Sequence, residues 1–149
     1  MAKFNYRMQN ILNIKYKLET QAKTAYGIAA AKLADEEKKL LHLKERQAGY
    51  EIQARELVSE RLDILEIKSC RAAIEAMKEA VKGQLLQVHI AQKNLENARI
   101  RLNEVMIERK THEKLREKAF DEFKREWEAE ESKSVDELVS YSYQGAGRK

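Results

Sequence analysis

An all-α fold, a long antiparallel two-helix coiled coil (an α-hairpin), is predicted by three features of this sequence. The apolar residues follow a strict seven-residue repeat, the chain contains no proline, and the repeat changes phase near mid-chain. Ile67, Ile74, Val81, Val88, Leu95 and Leu102 hold one position of the heptad. Cys70, Met77, Gln84, Ala91, Ala98 and Val105 hold the other. Alternating steps of three and four residues place them all on one narrow helical stripe, the seam of a left-handed coiled coil.

In chain order, the first arm is expected from about residue 4 to residue 58. Its seam reads Phe4, Met8, Ile11, Lys15, Leu18, Ala22, Ala25, Ala29 and Leu33, with consecutive four-residue steps that form a stutter. It resumes as Leu40, Leu43, Gln47, Tyr50, Ala54 and Leu57. A turn is expected over about 58–64, where Asp63 and Glu66 resemble a capping box and Ser59 is a second candidate N-cap. The second arm then spans about 64–132. Residue i of the first arm should face roughly residue 122 minus i of the second, the pairing of helices joined by a short connection. After Val105 the repeat loosens, and Leu115, Ala119, Phe120, Phe123 and Trp127 continue a helical face. In the tail, 133–149, the Ser134-Val135-Asp136-Glu137 capping box predicts a short extra C-terminal helix through Tyr141, and residues from Gln144 should fray. The whole is read as one elongated coiled-coil domain.

Composition agrees, and excludes several function classes. Charged residues make up 36% of the chain and aromatics 7%, which suits solvent-wrapped helices better than a layered core. Glu19 with Lys23, Asp35 with Lys39, Glu51 with Arg55 and Asp121 with Arg125 have the favourable i,i+4 order. The net charge of +4 conceals a gradient. Residues 1–34 carry six Lys/Arg against Glu19 alone, whereas residues 120–137 carry eight acids against Lys124, Arg125 and Lys133. Ends of opposite sign favour an antiparallel hairpin and argue against a nucleic-acid binder, which gathers positive charge on one face. The lone Cys70 lies on the seam and reads as a small buried hydrophobe in a reducing compartment. No signal peptide or membrane span is legible, so a cytosolic protein is expected.

The sequence also lacks the marks of catalysis. His42, His89 and His112 are too dispersed for a local metal motif, and His112 continues the second seam as a polar member. No phosphate loop, nucleophile elbow or Cys-x-x-Cys pair occurs. A two-helix coiled coil offers little water-excluding space in which to shift a catalytic pKa. No enzyme activity, cofactor or metal is expected. What remains are apolar residues outside the seam: Leu12, Ile14, Tyr16, Tyr26 and Ile28 near the amino terminus, and Phe120, Phe123 and Trp127 on the other arm. They either close the open end of the hairpin or dock into a partner, since aromatic residues are favoured interface anchors. Both roles are compatible.

The amino-terminal pattern Phe4-x-Tyr6 and Ile11-Leu12-x-Ile14-Lys15, at the start of a chain of this size, resembles the flagellar FliJ family. The run Arg109-Lys110, Glu113-Lys114-Leu115, Lys118, Phe123 and Glu126, then Asp136-Glu137-Leu138, carries the resemblance towards the carboxyl terminus. It implies a non-catalytic component of the flagellar type III export apparatus, shaped like the central stalk of rotary ATPases. The implied partners are the flagellar export ATPase, the cytoplasmic domain of the export gate's membrane protein, and export chaperones. Any membrane association would be peripheral, through those partners. The ATPase-facing residues would be Phe4, Tyr6, Ile11, Ile14, Phe120, Phe123 and Trp127 at the open end. By the same resemblance the gate-facing residues would form two clusters, Leu43, Gln47 and Tyr50, then Ala73, Met77, Ala80 and Gln84.

A generic homodimeric coiled-coil scaffold without an ATPase partner is the alternative. Spin labels at Ile11 and His112 separate intramolecular pairing from pairing between chains. In a hairpin the two labels are close within one chain, including when the labelled protein is diluted with unlabelled protein.

Overall fold

The computed structural model describes residues 3–60 and 63–146. Two helices account for nearly all of them: α1, Gln9–Glu60, and α2, Ile64–Ala146. They pack against each other as a helical hairpin, and no strand occurs among the described residues. Part of the segment expected to turn, Arg61 and Leu62, lies outside the described residues. On its far side Asp63 caps α2. Its Oδ1 accepts the Leu65 N–H at 3.1 Å, and its C=O accepts the Ile67 N–H at 3.0 Å. Ser59 does not cap α2. Its hydroxyl donates back to the Glu56 C=O at 3.0 Å inside the last turn of α1.

At the amino terminus Phe4–Tyr6 precede α1, and Arg7–Met8 form a turn. The Tyr6 C=O accepts the Gln9 N–H at 3.1 Å, and the Met8 C=O accepts the Leu12 N–H at 3.1 Å. The first arm therefore becomes helical five residues later than the expected start near residue 4. At the other end, α2 runs without interruption through Ser134 to Ala146, in place of the expected separate short helix. Ala129-Glu130-Glu131-Ser132-Lys133 contains no Gly or Pro to break the preceding turn, so the capping-box sequence simply continues the helix. Gln144, expected to fray, is helical, and residues 147–149 lie outside the described residues.

The chain divides into two compact units, Met1–Thr20 with Glu104–Lys149, and Gln21–Asn103. In the second unit the core is Ala22, Cys70, Val88 and Ala91, all buried. The Cys70 thiol donates to the Tyr50 C=O at 3.3 Å, and the Gln84 amide donates to the Glu36 C=O at 2.9 Å. Both pairings fall within two positions of the expected register. In the first unit Leu12 (2% exposed) and Val105 (1%) are the most deeply buried side chains. Lys15 meets Glu108 there at 2.9 Å, one position from the expected register.

All twelve residues of the predicted second seam are buried or half-buried. The first seam departs in part from its expected phase. Met8, Ile11 and Ala25 are exposed while Leu12, Glu19 and Glu36 are buried, whereas Lys15, Ala22, Ala29, Leu33 and the run from Leu40 to Leu57 lie on the seam as expected. The stripe that faces α2 is Leu12, Lys15, Glu19, Ala22, Tyr26, Ala29, Leu33, Glu36, Leu40, Leu43, Gln47, Tyr50, Ala54 and Leu57. Its steps alternate three and four throughout, so α1 has no stutter. Charged residues at seam positions hid this continuity. Glu19 and Glu36 are each only 5% exposed, and both are satisfied by hydrogen bonds that an apolar-only repeat does not anticipate. The second seam likewise continues past Val105, through half-buried Arg109 and His112 to Ala119 and Phe123.

Adjacent substitutions in α1 report this phase directly. Leu12→Ala is expected to cost about 2–4 kcal/mol in urea unfolding, because it empties a fully buried site. Ile11→Ala, at a position 40% exposed, is expected to change stability by no more than about 0.5 kcal/mol. The reverse order of these two effects would restore the stuttered seam.

Candidate functional site

In the first unit an aromatic cluster forms where the amino-terminal segment folds against α2. The Phe4 ring lies 5.1 Å from Phe120, edge to face, and 5.3 Å from Phe123. The Arg116 guanidinium sits 5.6 Å from the centre of the Phe4 ring, within cation–π range. Phe4 thus brings together three of the seven expected open-end residues by touching both Phe120 and Phe123. Phe4, Tyr6, Phe123 and Trp127 are half-buried, and Phe120 remains 44% exposed. Ile11 and Ile14 take a different position, on the outer flank of α1 where they face solvent.

Beside this cluster lies a polar layer that sequence reasoning missed. Arg109 donates to Glu19 through Nε at 2.6 Å and Nη2 at 3.2 Å, a two-pronged pair. Its Nη1 donates to Glu113 at 2.9 Å, and the Tyr16 hydroxyl also donates to Glu113. Gln9 accepts from Arg116 Nε at 2.8 Å. The Tyr16 hydrogen bond, then Arg109, holds the Glu113 carboxyl below its usual range. The same hydrogen bond raises the Tyr16 phenol above its usual range. Arg109 is held fully cationic, chiefly by Glu19. Nearby, His112 Nδ1 is buried without a hydrogen-bond partner. The signal for this layer was present in the spacing: Glu19 and Arg109 each continue a three–four repeat.

The residues expected to meet the gate lie in the second unit. Leu43, Gln47, Tyr50, Met77 and Gln84 are seam residues and half-buried, as are Ala73 and Ala80 beside them. The two clusters are partly brought together. Tyr50 and Ala73 line one shallow groove with Gln53, Leu57, Glu66, Ser69 and Cys70. Gln47 donates to Glu51 at 3.2 Å along its own helix. Gln84 is committed to Glu36, through both the backbone C=O and the carboxylate. Lys32 bonds Glu36 at 2.8 Å, and this contact first, then Gln84, holds the Glu36 carboxyl below its usual range.

Compared with known proteins, the chain matches the family model described as "Flagellar FliJ protein" over residues 4–148. The chain belongs to the flagellar FliJ family. That is a family of flagellar export components and not a known enzyme family. No curated protein and no solved structure matches this FliJ-family chain. Among its described residues no helix is long and apolar enough to cross a membrane, and no group of His, Cys, Asp and Glu is arranged to hold a metal ion.

The polar layers make stability depend on pH at both ends of the scale. Glu36 and Glu113 have folded-state pKa values below the ordinary 4.5, so their contribution is present above that value and is lost as pH falls through the folded one. Tyr16 is raised above its ordinary 10.0, so its contribution is full below pH 10.0 and is lost as pH rises through the folded value. The urea midpoint should therefore fall on acidification from about pH 5 to pH 3, and fall less in a Glu36→Gln, Glu113→Gln chain. Tyr16→Phe should flatten the alkaline limb.

Proposed function

We propose that this FliJ-family chain is a non-enzymatic stalk and adaptor of the flagellar type III export apparatus, linking the export ATPase ring to the export gate. The observation that carries the reading is the family match across nearly the whole chain. The ring-facing end would be the aromatic cluster of Phe4, Phe120 and Phe123 with Tyr6 and Trp127, together with Ile11 and Ile14 on the α1 flank. Exposed or half-buried aromatic and aliphatic groups on a stiff helical support suit that role. The gate-facing contact would centre on Tyr50 and Ala73, which share a groove. Gln47, Leu43, Met77, Ala80 and Gln84 would act mainly by shaping the seam beneath it.

The mechanism is mechanical. A helix pair biases subunit contacts within the ring, and its polar layers resist sliding of one helix along the other. The protein would work in the cytoplasm, at the inner face of the membrane through its partners, and would also assist export chaperones. Contributions to motility follow from export; a direct part in chemotaxis does not.

Addition of the purified chain to the cognate export ATPase is expected to raise ring assembly and ATP turnover. Phe120→Ala with Ile14→Ala should lower that stimulation at least about tenfold while leaving helix content unchanged. An ATPase indifferent to the wild-type chain, with no binding to ring or gate, would refute the proposal.

A further inference from the structure

In the first unit, the last three turns of α2 expose Val135, Leu138, Val139, Tyr141 and Tyr143, between 52% and 82% each. Helical spacing gathers Val135, Leu138, Val139 and Ser142 on one face, with Tyr141 and Tyr143 at its borders. No described residue covers this face. A contiguous apolar surface of that kind marks an interaction site. Its setting is acidic: Glu131 and Glu128 continue the same face one and two turns earlier, and Asp136 borders one edge. Between Glu126 and Glu137 the only base is Lys133. Two such tails side by side would repel, so the occupant is an apolar stripe with a basic border.

The same unit carries one. On the outer flank of α1, Ile11 (40% exposed), Ile14 (54%) and half-buried Leu18 follow a three–four step, one residue out of phase with the seam. Exposed Arg7 and Lys17 border it. A chain cannot bring its own tail there. Gln9, at the start of α1, is bonded to Arg116, and the uninterrupted helix α2 places Val135 about 28 Å further on, at ~1.5 Å per residue.

We propose that the tail face of Val135, Leu138, Val139 and Tyr143 docks on the α1 flank at Ile11, Ile14 and Leu18 of a second copy of this chain, and that the second copy's tail returns the contact. Charge complementarity selects the pairing, and two-fold symmetry closes it. The reciprocal contact uses the apolar faces twice, which brings a short helix towards the roughly 1,200 Å² of total surface that a specific interface needs. The dimer covers Ile11 and Ile14, so a partner that uses this flank must displace it.

Sedimentation of the full chain over a concentration series up to about 1 mM tests this, with salt as a second variable. A concentration-dependent dimer is expected, weakened at least about tenfold between low and high salt. Leu138→Ser with Val139→Ser should abolish it without loss of helical circular dichroism, since neither side chain reaches the core. Glu128→Lys with Glu131→Lys should weaken it at least about tenfold, and Arg7→Glu with Lys17→Glu added to that same chain should restore it. A chain that stays monomeric throughout overturns the proposal. So does a dimer indifferent to the tail substitutions, a charge-reversed pair that fails to recover, or a tail that binds anionic vesicles or another protein while the chain remains monomeric.

Discussion

Each helix of this chain depends on the other to cover one narrow stripe. Helix formers fill both sequences, but propensity alone leaves a helix marginal in water, and its persistence in a protein comes from burial of one face. Here that face is thin. Its most buried members include Ala22, Cys70, Val88 and Ala91, which together offer little apolar area. An unbroken repeat compensates, because every turn of α1 from Leu12 to Leu57 contributes a residue to the contact. A lapse in phase anywhere along the stripe would rotate all later residues out of it.

Polar layers refine what apolar contact alone leaves loose. A seam of small aliphatic residues can slide by a heptad with modest loss, since one Ala or Val resembles the next. Glu19 with Arg109, and Glu36 with Gln84, do not tolerate such a shift: slippage would strand a buried carboxylate among apolar neighbours. Their value lies in fixing register, the best attested use of polar groups in coiled coils. The cost is sensitivity to the protonation of their carboxylates.

This arrangement also decides where partners can act. The residues with most contact potential lie off the seam: the Phe4 aromatic cluster, the Ile11–Ile14 flank and the tail of α2. Much of the expected gate-facing set falls on the seam itself, so its side chains face the partner helix first. Of that set, Tyr50 on the seam and Ala73 beside it share an open groove. Membership of the flagellar FliJ family was legible in the order of residues at the two ends, and the pairing of Phe4 with Phe120 and Phe123 had its trace in their apolar character. The tail face was obscured, because its residues were read as a short separate helix.

By itself the sequence determined the helical class, the hairpin pairing and the second seam from Ile67 to Val105. Each of these follows from short-range spacing of apolar residues, which a linear repeat records faithfully. It also placed the Asp63 cap, a local hydrogen bond between near neighbours. The continuity of the first seam was decided only by tertiary structure. Glu19 and Glu36 look like solvent residues until Arg109 and Gln84 arrive from the other helix, and their burial depends on partners 90 and 48 positions away. The same holds for the flank and the tail. Whether an apolar stripe is core or surface depends on what lies opposite it, and that is a property of the pair of helices.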